Sequence, residues 1–298
     1  HALHLLRTSP HSPAVQVPLV REDLYARADA LIPTPTGHIL QETKAATFPP
    51  KPHHLEDAAI QRWVLEASGL PLARVELNLL DNQWRYPGGD DYRGLFRQLD
   101  VTLAIEPLVA QVPEWVAGAK AVLAGPIPEI QTGRQCKNPY PCPFQTYCKT
   151  LDAPGPEHPI ELLPDLAGKN LARKLSTERG YRSVLDPKPE EFSGKDSRLY
   201  QRIQAAHRSG RAILEPGAGD LLSALPYPRY YFDFEGIDLP VPYWQGVRPY
   251  EQIPFQWSCH VERAPGQFEH FEFLDVSGND PSLPCIEAML RVIPPEGD

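Results

Sequence analysis

A mixed α/β architecture is what this sequence predicts, and three observations lead to it. Through the first half, segments of period-two alternation and of helical period follow one another as strand, strand, strand, helix, strand, helix. The 298 residues exceed one ordinary core, so two domains are the default expectation. The hydrophobic content of 42% is that of a globular chain, and no apolar run is long enough to span a bilayer.

The elements follow in order. Residues 2–7 read as the tail of a helix. Val15, Val17 and Leu19 alternate as a strand, and Arg21-Glu-Asp23 turns it. Leu24 to Ile32 returns antiparallel, with Tyr25, Arg27, Asp29 and Leu31 on one face. Pro33-Thr-Pro-Thr-Gly37 supplies the next turn. In the third strand, His38 to Lys44, Leu40, Glu42 and Lys44 point one way while Ile39, Gln41 and Thr43 point the other. A carboxylate and an ammonium thus share a face, about 7 Å apart along the backbone. His54 to Ser68 has a helical stripe at Leu55, Ala59, Ile60, Trp63, Val64 and Ala67, with Gly69 as C-cap and Pro71 as stop. Asp57 and Gln61, four apart, share a different face of it. His53 and His54, at its start, read as capping or surface groups. Arg74 to Leu80 is a buried strand, with Trp84-Arg-Tyr86 as its short partner across Asp81-Asn82. Glu106 to Ala124 is an amphipathic helix ended by Gly125-Pro126.

The chemistry lies in three stretches. An Asp followed by Glu-x-Lys on the next strand is what metal-dependent phosphodiester hydrolysis needs: Asp29 and Glu42 can hold a hard divalent cation, and Lys44 can orient or deprotonate a water. Glu-x-Lys by itself is equally a solvated charged edge strand, worth under about 1 kcal/mol as an ion pair. Next, Cys136, Cys142 and Cys148 have five residues between successive thiols, in a proline-rich loop that suits a soft metal. The plain alternative is three unrelated buried cysteines. Zinc and iron–sulfur clusters usually take four protein ligands, so a fourth has to come from elsewhere. Five cysteines, three of them clustered, point to a metal site in a reducing cytoplasm rather than a disulfide framework. Cys259 and Cys285 read as small core residues. Finally, in Arg229-Tyr-Tyr-Phe-Asp-Phe-Glu-Gly236, Tyr231, Asp233 and Glu235 share one strand face and Phe232 and Phe234 the other. Two carboxylates side by side on an apolar strand are costly unless a cation sits between them, and a divalent metal is the natural one. Edge-strand acids are the alternative. Ile253 to Val261 and Phe268 to Leu274 are further strands, and Pro281 to Ile293 a helix.

The stretch between these sites has another character. Asp152-Ala-Pro-Gly-Pro156 is linker chemistry, and Leu162 to Leu185 and Ser197 to Ser209 read as helical. Between Gly168 and Ala212 there are eleven Lys/Arg against five Asp/Glu, inside a chain of net charge −9. That acidic balance argues against a generic basic nucleic-acid coat, while a local cationic surface remains open. Leu-Ala-Gly-Lys-Asn, 166–170, leads into a helix whose amides, with Lys169, can meet a phosphate. A solvated helical linker is the favoured reading, because charge runs usually are that. The absence of an initiating Met and of an obvious finishing element gives the expectation of a fragment.

In combination these motifs resemble known families. Residues from about 14 to 148 resemble a RecB-type nuclease module of the PD-(D/E)xK superfamily: Asp29 matches the metal-binding aspartate, Glu42 and Lys44 the (D/E)xK pair, and Gln61 the glutamine of the RecB branch. Cys136, Cys142 and Cys148 look like the last three of the four iron–sulfur cysteines of some such nucleases; the first, far upstream, has no match here. Residues from about 228 resemble the start of an RNase H-like domain of the DEDD exonuclease kind, through Asp233 and Glu235. The run to Ser258 looks specifically like the bacterial domain-of-unknown-function family 2779. The resemblance implies a restriction-endonuclease-like mixed sheet with helices over 1–150, a helical basic linker or adaptor over 151–227, and the N-terminal part of an RNase H-like domain over 228–298. It further implies a cytoplasmic, metal-dependent nuclease using Mg²⁺ or Mn²⁺ and carrying an iron–sulfur cluster, or zinc in its place. Its partner would be DNA, with RNA as the alternative, and no membrane. The second site, Asp233 and Glu235, would be incomplete without later aspartates. The competing class is a non-catalytic nucleic-acid-binding or interaction scaffold.

Overall fold

The structure is a computed structural model and describes residues 11–152 and 154–295. The helix expected at residues 2–7 lies outside them.

Strands β1 (Ala14–Arg21), β2 (Leu24–Thr34) and β3 (Gly37–Thr47) form an antiparallel meander. β4 (Leu72–Leu80) then lies parallel to β3, and β5 (Phe96–Asp100) closes a five-stranded sheet in the order β1-β2-β3-β4-β5. A parallel pair needs a crossover, and helix α1 (Pro52–Glu66) supplies it. Gly37 makes the tight β2–β3 turn possible: at φ +144°, a Cβ there would sit 2.6 Å from the carbonyl oxygen of Pro71. Pro52 opens α1, and the Lys51 N–H donates to Nδ1 of buried His54, which is the capping role expected of it. Ala58, Ala59, Val64 and Leu65 of α1 bury against Leu40, Val75, Leu77 and Leu79 of the sheet. At the far end, the Arg21 guanidinium lies 3.6 Å over the Trp63 ring and donates to its carbonyl, fastening β1 to α1.

Several elements differ from expectation. Trp84-Arg-Tyr86 is not the partner of β4; β5 is, after a loop with positive-φ glycines at 88, 89 and 94. The Tyr86 backbone pairs instead with Gly246 and Val247. The helix read over 106–124 is two, α2 (Glu106–Val109) and α3 (Val112–Ala124). Pro113 has no N–H to continue the first helix and is accommodated in the first turn of the second. Along β2, Tyr25 and Arg27 are exposed while Leu31 is buried, so those positions do not share one environment.

A second, antiparallel sheet has the order β6 (Arg229–Asp238), β7 (Gln252–Ala264), β8 (Gln267–Leu274). Helix α8 (Ser282–Val292) covers one face, on a core of Trp257, Cys259, Val261 and Cys285. Both cysteines are core residues, as read.

By packing, one compact unit takes the chain to Pro128 and resumes at Tyr227; it holds both sheets. The other is Glu129–Pro226. This grouping puts the cysteine stretch with the basic helices rather than with the first sheet. The second unit contains α4 (Gln145–Leu151), α5 (Asp165–Arg179), α6 (Ser197–Ser209) and α7 (Ala218–Ala224), the last not anticipated. Its core is Ile160, Leu163, Ala172, Leu175, Val184, Phe192 and Tyr200. α5 stops at Gly180, which adopts φ +71°, so the helix read to Leu185 is shorter. Residues 166–170 lie inside α5 rather than before it, so most of their amides serve the helix. Gly168 packs on Leu163, and Lys169 donates to the Glu161 carbonyl. The proposed phosphate cradle is therefore a packing contact. No helix among the described residues is long and apolar enough to cross a membrane.

Candidate active site

β2 and β3 part company at the site. Their pairing runs only as far as Ala30 opposite Gln41, while β3 continues to Thr47 along β4. Where the strands diverge, the Asp29 carboxylate replaces the missing ladder: Oδ2 accepts the Thr43 N–H at 2.8 Å and Oδ1 accepts from Gln16 Nε2 at 3.1 Å. One residue back on β3, Glu42 faces α1 and is only 6% exposed. Its Oε1 lies 2.7 Å from Lys44 Nζ, and its Oε2 accepts from Gln61 Nε2 at 2.6 Å. Gln61 is equally buried, and its Oε1 has no hydrogen-bond partner among the described residues. One turn earlier on α1, the Asp57 carboxylate also receives a hydrogen bond from Lys44.

The electrostatics follow from this placement. Burial pushes the Glu42 carboxyl above the usual carboxylate range, and the nearby Asp29 charge adds to that. Hydrogen bonds from Lys44 and Gln61 oppose the rise without cancelling it. For Lys44, burial works to lower the pKa, but the hydrogen bonds to Asp57 and Glu42 outweigh it and hold the ammonium above its ordinary value. An excess of negative charge thus meets an unsatisfied oxygen. An unpaired buried acceptor costs roughly 1–3 kcal/mol, and a cation or a water would remove that cost.

The donor set suits a hard cation. Asp29, Glu42 and the free Gln61 oxygen offer oxygens only, the ligand type of Mg²⁺ or Mn²⁺ rather than of a soft metal. Among the described residues no group of three or more His, Cys, Asp or Glu is placed to hold a metal ion, so the site rests on two carboxylates and an amide oxygen. All four residues picked out in the sequence, Asp29, Glu42, Lys44 and Gln61, come together here. Asp57 belongs with them and was left out, although its i, i+4 relation to Gln61 had already put it on the right face. Arg97 was missed because β5 was missed. It stands opposite Leu79, which stands opposite Lys44, so the two cations lie at one level of the sheet. Arg97 is exposed, with its guanidinium 4.5 Å over the Phe48 ring.

The cysteines are arranged differently. Cys136 is buried at the end of a short helical turn, Cys142 donates its N–H to the Cys136 carbonyl, and Cys148 sits on α4. All five cysteines of the chain are free, and the three clustered ones do not form a metal-holding group among the described residues.

On the second sheet, Asp233 and Glu235 are both exposed. Asp233 accepts the N–H of its own neighbour Phe234, and the β6–β7 register shifts just after Glu235. Phe232 packs near Trp257, but Phe234 is 55% exposed, so the apolar face of this strand is only partly covered. The open face also carries Ser258, whose Oγ is 2.9 Å from His270 Nε2, and His260 stacked on His270.

Comparison with known proteins places one segment. Residues 230–298 match the family model DUF2779, Domain of unknown function. The DUF2779 segment is therefore the second sheet with α8, as its sequence led us to expect. No curated protein matches the chain, and no solved structure matches it. The first sheet and its site lie outside the matched segment.

Proposed function

We propose that this protein is a metal-dependent nuclease that hydrolyses DNA phosphodiester bonds at the β2–β3–α1 site. The observation that supports this best is the buried Glu42 carboxylate, gripped by Lys44 and Gln61 beside an amide oxygen that has no donor among the described residues. Asp29, Glu42 and the Gln61 oxygen would hold Mg²⁺ or Mn²⁺, which when bound would polarise the scissile phosphate and lower the pKa of a water. Lys44 would orient the attacking water and offset charge on the phosphate as the new P–O bond forms and the ester P–O bond breaks. Asp57 would hold the Lys44 ammonium in place. Arg97, exposed at the same level of the sheet, would contact a neighbouring backbone phosphate, which Arg does well.

A second reading has one observation in its favour. Lys44 is already paired with both Glu42 and Asp57, and an ion pair closed in this way suits a scaffold as well as a catalyst. Cleavage assays separate the two. Wild type should cut single- or double-stranded DNA with Mg²⁺ or Mn²⁺ and not with EDTA. Glu42→Ala and Lys44→Ala should each lose on the order of 10²-fold or more in rate. A wild type that cuts neither DNA nor RNA, or variants that cut as well as it does, would sink the catalytic reading.

A further inference from the structure

The loop joining β6 to β7, within the DUF2779 segment, reaches back to the first sheet. Tyr86 exchanges backbone hydrogen bonds with it, its N–H donating to the Val247 carbonyl at 3.0 Å and its carbonyl accepting the Gly246 N–H at 2.7 Å. Arg85 donates to the Gly246 carbonyl at 2.7 Å and lies 3.6 Å from the Glu251 carboxylate. At the end of this loop Tyr250 takes φ +59°, a left-handed conformation that a bulky residue rarely adopts, while its N–H bonds to the Leu239 carbonyl. Held in that posture, the Tyr250 hydroxyl donates to the Ala45 carbonyl at 2.7 Å.

Ala45 directly follows Lys44 and sits where β3 loses register with β4, between Lys44 opposite Leu79 and Thr47 opposite Leu80. Past Gln41 the β2-facing edge of β3 has no ladder partner among the described residues. Thr43 and, by alternation, Ala45 turn their backbone groups toward that open edge. Two side chains take the place of the missing strand. Asp29 binds the N–H of Thr43, and Tyr250 binds the carbonyl of Ala45. The stretch carrying Glu42 and Lys44 is fixed on that edge by one group from β2 and one from the DUF2779 loop.

We propose that Tyr250 is a positioning residue of the candidate active site, holding the end of β3 so that Lys44 stays aimed at Glu42 and Asp57. The DUF2779 loop thereby completes the site of the first sheet. This rests on the nuclease reading for its catalytic consequence, but not for the mechanical coupling itself. It also accounts for a strained tyrosine that contributes little burial, being 37% exposed.

The test is Tyr250→Phe in the intact chain, which removes one oxygen and keeps the ring, with Arg85→Ala as a second variant that loosens the loop elsewhere. Hydrogen exchange of the segment 42–47 reads the coupling without any activity. We expect roughly three- to tenfold faster exchange there in Tyr250→Phe, the ratio that one net hydrogen bond supports, with the β6–β7 ladder unchanged. In cleavage assays kcat should fall about tenfold with KM unchanged, the pattern of a misplaced catalytic group rather than of lost binding. Arg85→Ala should move both readouts in the same direction. Unchanged exchange over 42–47 in Tyr250→Phe overturns the coupling whatever the activity does. Faster exchange with unchanged kcat overturns the positioning role. A wild type that cuts no nucleic acid overturns the nuclease reading alone, and the exchange result then decides the coupling by itself.

Discussion

Two strands of this chain carry ionisable side chains two residues apart, Glu42 and Lys44 on β3 and Asp233 and Glu235 on β6. Their spacing is the same and their surroundings are opposite. Glu42 is buried under α1 and meets partners from its own strand and from the helix. Asp233 and Glu235 lie in the open, the first bonded to the adjacent amide and the second with no partner among the described residues. Strand alternation puts two groups on one face; only a second element packed on that face makes them costly to charge, and so able to do chemistry. α8 covers the other face of the second sheet, and the strand face of Asp233 stays exposed.

The largest effect that would sharpen this contrast is stabilisation by a divalent cation. Because Asp29, Glu42 and the Gln61 oxygen come together only in the folded first sheet, Mn²⁺ or Mg²⁺ should bind it and not the unfolded chain. At a hundredfold excess over Kd that is worth about 2.7 kcal/mol, several degrees in the melting of the unit that holds the first sheet. Glu42→Ala should abolish the shift, whereas Asp233→Ala and Glu235→Ala should keep it. A shift that follows Asp233 instead would reverse the comparison, measured by thermal scans with and without the metal.

How much of this was readable beforehand depends on the residue. β1 to β4 and α1 were legible because their apolar residues keep a clean period and Gly and Pro punctuate them. Strand period put Glu42 and Lys44 on one face and helix period put Asp57 and Gln61 on another, but Asp29 and Gln61 were joined to Glu42 and Lys44 only through the resemblance to a nuclease motif. β5 was not legible. Phe96-Arg-Gln-Leu-Asp is an edge strand with little apolar alternation, and the aromatic Trp84-Arg-Tyr86 competed for its place. Tyr250 was invisible for a different reason. Its partner, Ala45, is 205 residues away and offers only a backbone oxygen, and no pattern of side chains marks such a contact. The cysteine spacing pointed to a metal site; the fold joins Cys136 and Cys142 by a backbone hydrogen bond and sets Cys148 on α4.

A smaller effect comes with pH. A carboxyl whose folded pKa lies above its unfolded value binds protons more tightly when folded, so the native state loses stability as pH rises from about the ordinary Glu value of 4.5 through the folded one. Glu42→Gln removes that group, so the stability of wild type relative to the variant should decline from acid toward neutral pH in the absence of divalent cation. Saturating Mn²⁺ should flatten the decline by offsetting the charge. Denaturant midpoints across that range check both. If the gap between wild type and Glu42→Gln widens in favour of wild type as pH rises, the Lys44 pairing dominates burial and the site is an ordinary ion pair.

The smallest effect concerns Asp57, with 41% of its side chain exposed. An ion pair so exposed is worth under about 1 kcal/mol, so Asp57→Asn should cost no more than that in stability. Its signature is at the alkaline end. The hydrogen bond to Asp57 is the largest contribution holding the Lys44 ammonium above its ordinary 10.5 against burial, with Glu42 next. The stability this provides is fully present below that value and is lost as pH rises through the folded pKa. In Asp57→Asn the folded pKa falls, so that loss should be smaller and complete at lower pH, and the alkaline limb of the cleavage profile should move to lower pH if protonated Lys44 acts on the phosphate. A limb that moves without the stability curve would place the titrating group on the substrate or metal side rather than on Lys44. A limb that stays while the stability curve moves would leave Lys44 a structural cation, and the contrast between the two strands would then be one of packing alone.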